Sequence, residues 1–584
     1  MKKWIFFITV SGLTLGAWGQ KTYAPTSVLA SGKWIKLSVS ERGIYRITSE
    51  FLKNAGVSGT LPSSTLRLFG TGGRELPEDN AVPSPDDLTE CATWVSDGGD
   101  GVLDGNDYIA FYAPGPHHWE YDSSARRHTY IKNHYSDKSF YYIQVAGSNS
   151  KKIISRTVLN SVVAPVQSFD EFYHYELDSI NFLNSGKEWY GEEMSNQPGK
   201  TAAIDISLPV PTVLQGSPYY LRSEVVGRSF QSPNRILVQV NGANVAEHST
   251  PVLQGTLIES FANSSFAVAE GNLSSTSITV GYRFLGQGSS AQAWLNKFDV
   301  YFRRKLDMNG SSQLFFRDIS SISKSIVKFR IENVQPEFRV WDVTHAQQPI
   351  AVPGSLIGSA LEVVDDAIQL KEYVCFDLRQ LKSPRFEGNV ENQDLHASGD
   401  AEMIIVVDRS MLSQAQRLAQ LHTAKDGLKV LTATTDKIWN EFSGGSPDPS
   451  AIRNFVKMFF DRAGSDAARK PKYLLLFGGA SYDFKGKSGK SLGLVPSYQS
   501  NFSLDPLATY VTDDYFGYLE DQESIARNFP QATLDIAIGR IPARTLGQAK
   551  LAVDKIFYYI DSTDRGSWKN NITFWQMMKI ITCI

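Results

Sequence analysis

A change of hydrophobic period near residue 400 divides this chain. Upstream, short runs alternate apolar and polar residues, the period of a half-exposed strand. Downstream, residues 401–408 (AEMIIVVD) are almost continuously apolar, which predicts a strand buried on both faces. Residues 413–427 (SQAQRLAQLHTAKDG) then place Ala415, Leu418, Ala419 and His422 at helical spacing and stop at Gly427. LKVLTATT reads as a second strand. SPDPSAIRNFVKMFFDRA reads as a helix with a Pro-rich entry and Ile452, Phe455, Val456 and Phe459 on one face. KYLLLFGGASYDFKG reads as a third buried strand. Strand–helix alternation of this kind predicts a parallel sheet with helices covering it.

In such sheets the chemistry gathers beyond the carboxyl ends of the strands. Gly478, Gly479, Ser481, Tyr482 and Asp483 therefore fall on a candidate rim. Gly478-Gly479 lacks both the GxGxxG spacing and a Gly-Lys-Ser/Thr sequence, which excludes a nucleotide loop. Asp513 and Asp514 in YVTDDYFGYLE form a pair of acids, but neighbours rarely point the same way, so a role at the rim or in the structure is expected. Arg540, placed after a strand at 536–538, is expected to anchor a carboxylate at the sheet end, that of Asp513 or Asp514.

The part before residue 396 reads as all-β. Its Tyr, Phe and Trp content and its Gly, Ser, Thr and Val favour sheet over helix. Residues 33–47 (KWIKLSVSERGIYRI) read as two strands joined at Arg42-Gly43, and TLRLF and YIAFY continue the pattern. ILVQVNGANV carries Asn241-Gly242, a hairpin signature, and with TSITVGYRF and KFDVYFRRKL predicts a β-sandwich. VKFRIENV, FRVWDVTHAQQPIAV and LEVVDDAIQLKEYVCFDL predict a further small β module, and residues 382–400 read as a polar boundary loop. Asp97, Asp100, Asp104 and Asp107 sit among glycines, as oxygen ligands do around calcium. The same residues also read as a solvated Asp-Gly turn. His117, His118, His128 and His134 repeat no ligand spacing and read as a surface loop rather than a zinc site.

The first 19 residues have Lys2 and Lys3, an apolar run and small residues at Ala17 and Gly19, the layout of a secretory signal peptide. Only Cys91, Cys375 and Cys583 are present, so no disulfide framework is expected. A net charge of −3 without a basic stripe gives no reason to expect nucleic acid. The expected division is a signal peptide at 1–19, β domains at 20–160 and 161–305, a small β module and linker at 306–395, and an α/β domain at 396–574.

The ordered series MIIVVD, LLLFGGASYDFKG, LVPSY, YVTDDYFGYLE, LDIAIGRIPART and QAKLAVDKIFYYI resembles the gingipain family of cysteine peptidases. Upstream, SVLASGKWIKLSVSERGIYRIT, LRLFGTGGRELPE, DGVLDGNDYIAFYAPGPHHWEYD and NSGKEWYGEE are similar to the sortases of that family that serve type IX secretion. The resemblance implies a multidomain chain whose β domains precede a caspase-like α/β peptidase domain. It implies a location on the outer membrane surface after export through the periplasm. It implies cleavage of C-terminal sorting domains from secreted cargo, transfer of the cargo to anionic lipopolysaccharide, and outer-membrane secretion components as partners. No cofactor is required by that chemistry, with calcium left open.

Such a peptidase needs a Cys thiolate, a His to take its proton and a carboxylate to orient the His. The family carries its His in a Gly-His-Gly turn and its Cys on a later strand, both downstream of the segment matching IAIGRIPAR. Here the last histidine is His422, Cys375 precedes the α/β domain, and neither fits, so no catalytic residue is assigned. Residues 575–584 (WQMMKIITCI), back-translated and read one base earlier, become an acidic segment like the one that follows ITF in the family. They are therefore expected to be a frameshift product, with the catalytic His and Cys encoded beyond it and this chain an inactive front portion. The alternative is a non-catalytic cell-surface module whose β domains bind proteins or glycans.

Overall fold

The computed structural model describes residues 21–571 except 146, 160–161, 490–492, 526–531 and 564–565. The expected signal peptide and the 575–584 tail, with Cys583, lie outside the described residues.

Two small sheets enclose the first core. One runs Arg385–Val390, Lys33–Val39, Ser139–Val145, Arg67–Gly70, Thr89–Cys91, and the other Gly43–Thr48, Tyr108–Ala113, Trp94–Ser96. The expected strands at 33–47 form, yet they do not pair with each other. They lie in different sheets, and Ile35, Leu37, Ile47 and Phe111 meet in one core between them. Within the supposed boundary loop, Arg385–Val390 pairs with Lys33–Val39. An edge strand keeps much of its side-chain surface wet, so its sequence is as polar as a loop.

The β-sandwich follows as expected. Ser168–Glu176, Gln292–Lys305, Pro218–Arg228 and Asn263–Asn272 form one antiparallel sheet; Ala203–Ser207, Thr279–Phe284, Asn234–Val240 and Ala243–Thr250 form the other. Inward residues such as Val225, Ile236, Val238, Val280 and Phe298 share one core between them. Asn241 and Gly242 take φ of 50° and 82°, the left-handed pair that a two-residue hairpin turn needs. The small β module packs Phe338–Asp342, Tyr373–Asp377 and Gln313–Phe316 against Lys324–Ile331 and Ala360–Ala367 around Phe316, Phe329 and Cys375.

Among the described residues the α/β region is built on four parallel strands in the order Val430–Thr434, Met403–Val407, Tyr473–Phe477, Ala537–Ile541. Met403–Val407 is buried at every position because both faces are covered. Ile404 and Val406 meet the helices Thr435–Phe442 and Pro449–Ala463. Ile405 and Val407 meet Leu412–Asp426 and Leu546–Asp561. Gly427 caps its helix at φ 69°. Pro449–Ala463 departs from the one-faced helix expected of it. It is wedged between the sheet and the N-terminal modules, so Arg453, Asn454 and Lys457 are buried along with Phe455 and Phe459. Arg453 spends its guanidinium on the carbonyls of Pro77 and Glu78 and on the Tyr515 hydroxyl.

Candidate functional site

Tyr473–Phe477 runs out of the sheet into Gly478-Gly479, where close approach excludes a side chain. A Cβ on Gly478 would stand 2.7 Å from Val495 Cγ2, and one on Gly479 would stand 2.9 Å from Arg544 Cγ. Their N–H groups donate to the carbonyls of Ile541 (2.9 Å) and Ala543 (2.8 Å), which keeps the exit pinned to the neighbouring strand. The chain then turns on Asp483, whose buried carboxylate accepts from the N–H groups of Lys487 (2.9 Å) and Ser488 (2.7 Å). Tyr482 lies parallel to Trp189, ring centroids 5.8 Å apart, and Phe484 packs edge-on to Tyr135. Lys485 reaches Asp137 at 2.5 Å, and Lys487 pairs with Asp178. The rim loop thus rests on the N-terminal modules.

Arg540 closes the rim. It lies inside the strand Ala537–Ile541, not after one that stops at 538, because the ladder to Tyr473–Phe477 continues through Ile541. Its Nε and Nη2 each donate to one carboxylate oxygen of Asp513 at 2.7 Å, a two-pronged pair. Nη1 donates to the carbonyls of Gly478 (2.7 Å) and Val495 (2.8 Å), and Nη2 to that of Pro496 (3.1 Å). Ser497 Oγ adds a third bond to Asp513 at 2.8 Å. Asp513 is therefore the partner of Arg540. Asp514 is exposed and opens the short turn Asp514–Gly517. The two acids do not form a pair.

The remaining candidates lie elsewhere. Asp97 accepts from Ser63 Oγ and Gly99 N–H, Asp100 from Val102 N–H, and Asp107 from Asp104 N–H. Each of these three acids caps its own turn. Among the described residues no group of three His, Cys, Asp or Glu is arranged to hold a metal ion. The four histidines do not lie in a loose surface loop. They lie on and around the hairpin His118–Asp122 and Arg127–Ile131, which the aromatic side chains hold to the sandwich: Trp119 stands 4.1 Å from Phe172 and Tyr130 stacks on His174 at 3.7 Å. His117 faces Asp137, His118 faces Glu120 and His134 faces Glu75. Burial pushes the Cys91 thiol up to about 12 and raises that of Cys375 as well, so both side chains are inert hydrophobes.

Sequence reasoning missed a polar junction between the α/β region and the N-terminal modules. His396 is fully buried, stacked on Phe442 at 4.7 Å, with Nδ1 2.6 Å from Glu441 and Nε2 3.2 Å from Asp86. Burial pulls its pKa down, but hydrogen bonds to Asp86 and Glu441 and their charges raise it to about 9. Asp448 caps Pro449–Ala463 and accepts from Leu76 N–H at 2.8 Å. Burial and the nearby Glu75 push its pKa up to about 7. Asp-Pro at a helix start is a signal that exposes Asp448 in the sequence; nothing comparable marks His396.

Residues 396–576 match peptidase family C25. The C25 match thus begins at the buried His396 and takes in the parallel sheet and the whole rim. Over 94% of its length the chain is similar to the crystal structure of dimeric latent PorU from Porphyromonas gingivalis, with a TM-score of 0.81 and 26% identity. It spans about half of that protein, 51%. The resemblance read from the motifs therefore holds, with all-β modules followed by a caspase-like α/β region. PNGase F, a glycosylasparaginase from Flavobacterium meningosepticum, is matched at 11% identity and a TM-score of 0.15, covering 47% of this chain and 96% of that one. That likeness carries no argument. No curated protein matches. No helix among the described residues is long and apolar enough to cross a membrane.

Proposed function

We propose that this chain is the front portion of a PorU-like cysteine endopeptidase of the sortase kind. In the complete enzyme, C-terminal sorting domains are cut from secreted cargo and the cargo passes to an anionic lipopolysaccharide anchor. The enzyme works at the outer membrane surface with outer-membrane secretion components. The observation that carries this is the C25 match falling on a parallel sheet whose rim is already assembled by Gly478, Gly479, Asp483, Asp513 and Arg540. The catalytic thiol and imidazole come from chain that follows the outer strand Ala537–Ile541. Two features support this. Among the described residues that strand ends the four-stranded sheet, and Leu546, Leu551 and Tyr558 of the adjoining helix are exposed. On this view the rim residues position the catalytic pair and do not replace it.

The test compares two proteins, the chain as given and one encoded by DNA resequenced and continued across codon 574. A sorting-domain peptide is offered to both. Cleavage by the continued chain alone is expected; cleavage by the chain as given, or by neither, overturns the proposal. The buried thiols of Cys91 and Cys375 favour a second reading for the chain as it stands, a surface module without catalysis.

A further inference from the structure

We propose that the β-sandwich carries a binding site for a neutral saccharide, in a cleft far removed in sequence from the rim. The cleft has a volume of about 470 Å3 and lies where the hairpin tip at 123–127 overhangs the sandwich strands. That volume is in the range of small-molecule sites and accommodates about two sugar rings.

Tyrosines from two adjacent strands supply its apolar surface. Tyr219 and Tyr220 begin the strand Pro218–Arg228, and Tyr301 comes from Gln292–Lys305, its ring 5.8 Å from that of Tyr220. The Arg127 guanidinium lies 3.7 Å from the Tyr220 ring centre, which extends the flat surface with a plane of N–H donors. The Tyr301 hydroxyl donates to the His128 carbonyl at 2.5 Å and so ties the overhanging hairpin to the sandwich. Gly271 lines the wall beside Tyr219, where a Cβ would come within 3.0 Å of that ring.

The polar groups decide the ligand class. Arg126, Arg127 and Arg303 face Asp170, Glu171 and Glu270, so the lining carries as many cations as anions. His128 adds no charge near neutral pH, because burial and the charge of Arg317 pull its pKa down to about 4. A lining of balanced charge offers nothing to a simple ion. It offers donors and acceptors side by side, next to aromatic faces, which is what the hydroxyls and the C–H face of a pyranose require. Several of these groups are already fixed. Arg303 is held by Asp170 (3.0 Å), Asp318 (2.8 Å) and the Ser168 carbonyl, and Glu171 by Arg304 and Arg317. Arg126 differs, since it has no partner among the described residues and sits at φ 51°, a left-handed conformation that costs energy in a non-glycine residue. Its guanidinium is the donor left over for a ligand.

This site is independent of peptidase activity. The test titrates the whole chain, by calorimetry and saturation-transfer NMR, with maltose, cellobiose, lactose, mannobiose and chitobiose. At least one is expected to bind with a Kd at or below about 1 mM. Arg126→Ala removes an exposed, partnerless side chain and should weaken that sugar about fivefold; Tyr301→Ala should weaken it at least tenfold. The proposal is overturned if none of the five binds at about 10 mM, or if binding survives both substitutions. Preference of the cleft for an acidic decapeptide or dextran sulfate over all five sugars also overturns it.

Discussion

At the scale of single residues, Arg540 does most to shape the rim. One side chain satisfies a carboxylate and three backbone carbonyls drawn from three separate stretches of chain. Lysine can supply charge there but no fork, so it cannot hold both oxygens of Asp513 and still reach the carbonyls. Arg540→Lys is expected to cost about 2–3 kcal/mol, chiefly from buried acceptors left unpaired. Asp513→Asn should cost less, and the two substitutions together should cost less than their sum, since each breaks the same pair. Thermal melting of the four proteins measures this; simple additivity would mean that the pair is not coupled. Gly478 has a different constraint. Gly478→Ala puts a methyl 2.7 Å from Val495 Cγ2 and is expected to cost about 1–3 kcal/mol, with Val495→Ala on the same background recovering part of it.

At the scale of elements, the sheet is graded. Met403–Val407 has hydrogen-bonded neighbours on both sides and helices on both faces, whereas among the described residues Ala537–Ile541 is paired on one side and is partly exposed. Backbone amide exchange is therefore expected to be slowest in Met403–Val407 and at least about tenfold faster in Ala537–Ile541. Equal protection of the two strands would refute the picture of an open edge. The same grading explains what the sequence revealed. Continuous apolar runs such as MIIVV, and Gly427 and Asn241-Gly242 as turn signals, mark their elements by local chemistry alone. Strands at sheet edges do not: Arg385–Val390 carries an exposed, polar face and joins a sheet begun some 350 residues earlier, information that no local window holds. Asp513 and Asp514 were equivalent in the sequence for a similar reason. Which of them meets Arg540 is set by the backbone at Thr512–Asp514, and only three-dimensional register decides it.

At the scale of the whole molecule, the α/β region and the N-terminal modules are held together by buried polar contacts that change with pH. Lys36 and Tyr142 reach Asn440, Leu76 meets Asp448, and Arg462 donates to the carbonyls of Ala24 and His396. His396 faces Asp86 and Glu441, and Asp448 faces Glu75, itself paired with His134. Of the junction groups, His396 and Asp448 have folded pKa values above their ordinary ones, so both favour the folded junction when protonated. Burial pulls the pKa of Lys36 down to about 8, so Lys36 offsets part of the loss above about pH 8. The contribution of Asp448 is complete below about pH 4 and is lost as pH rises through about 7. That of His396 is complete below about 6.5 and is lost as pH rises through about 9, an effect of about 3 kcal/mol. The junction should thus loosen in two steps between weakly acidic and alkaline pH. Proteolysis within residues 391–402, normalised to an unfolded substrate at each pH, is expected to speed up at least about tenfold from about pH 6 to about pH 9.5. His396→Gln should remove the upper step and leave the lower one. A flat profile in the natural chain, or an unchanged upper step in the variant, would show that the junction is held by packing alone. If the two steps appear, the N-terminal modules and the C25 region are one cooperative body. A fragment cut at 396, deprived of Asp86, Glu75 and the Pro77 and Glu78 carbonyls, should then fail to give a cooperative melt.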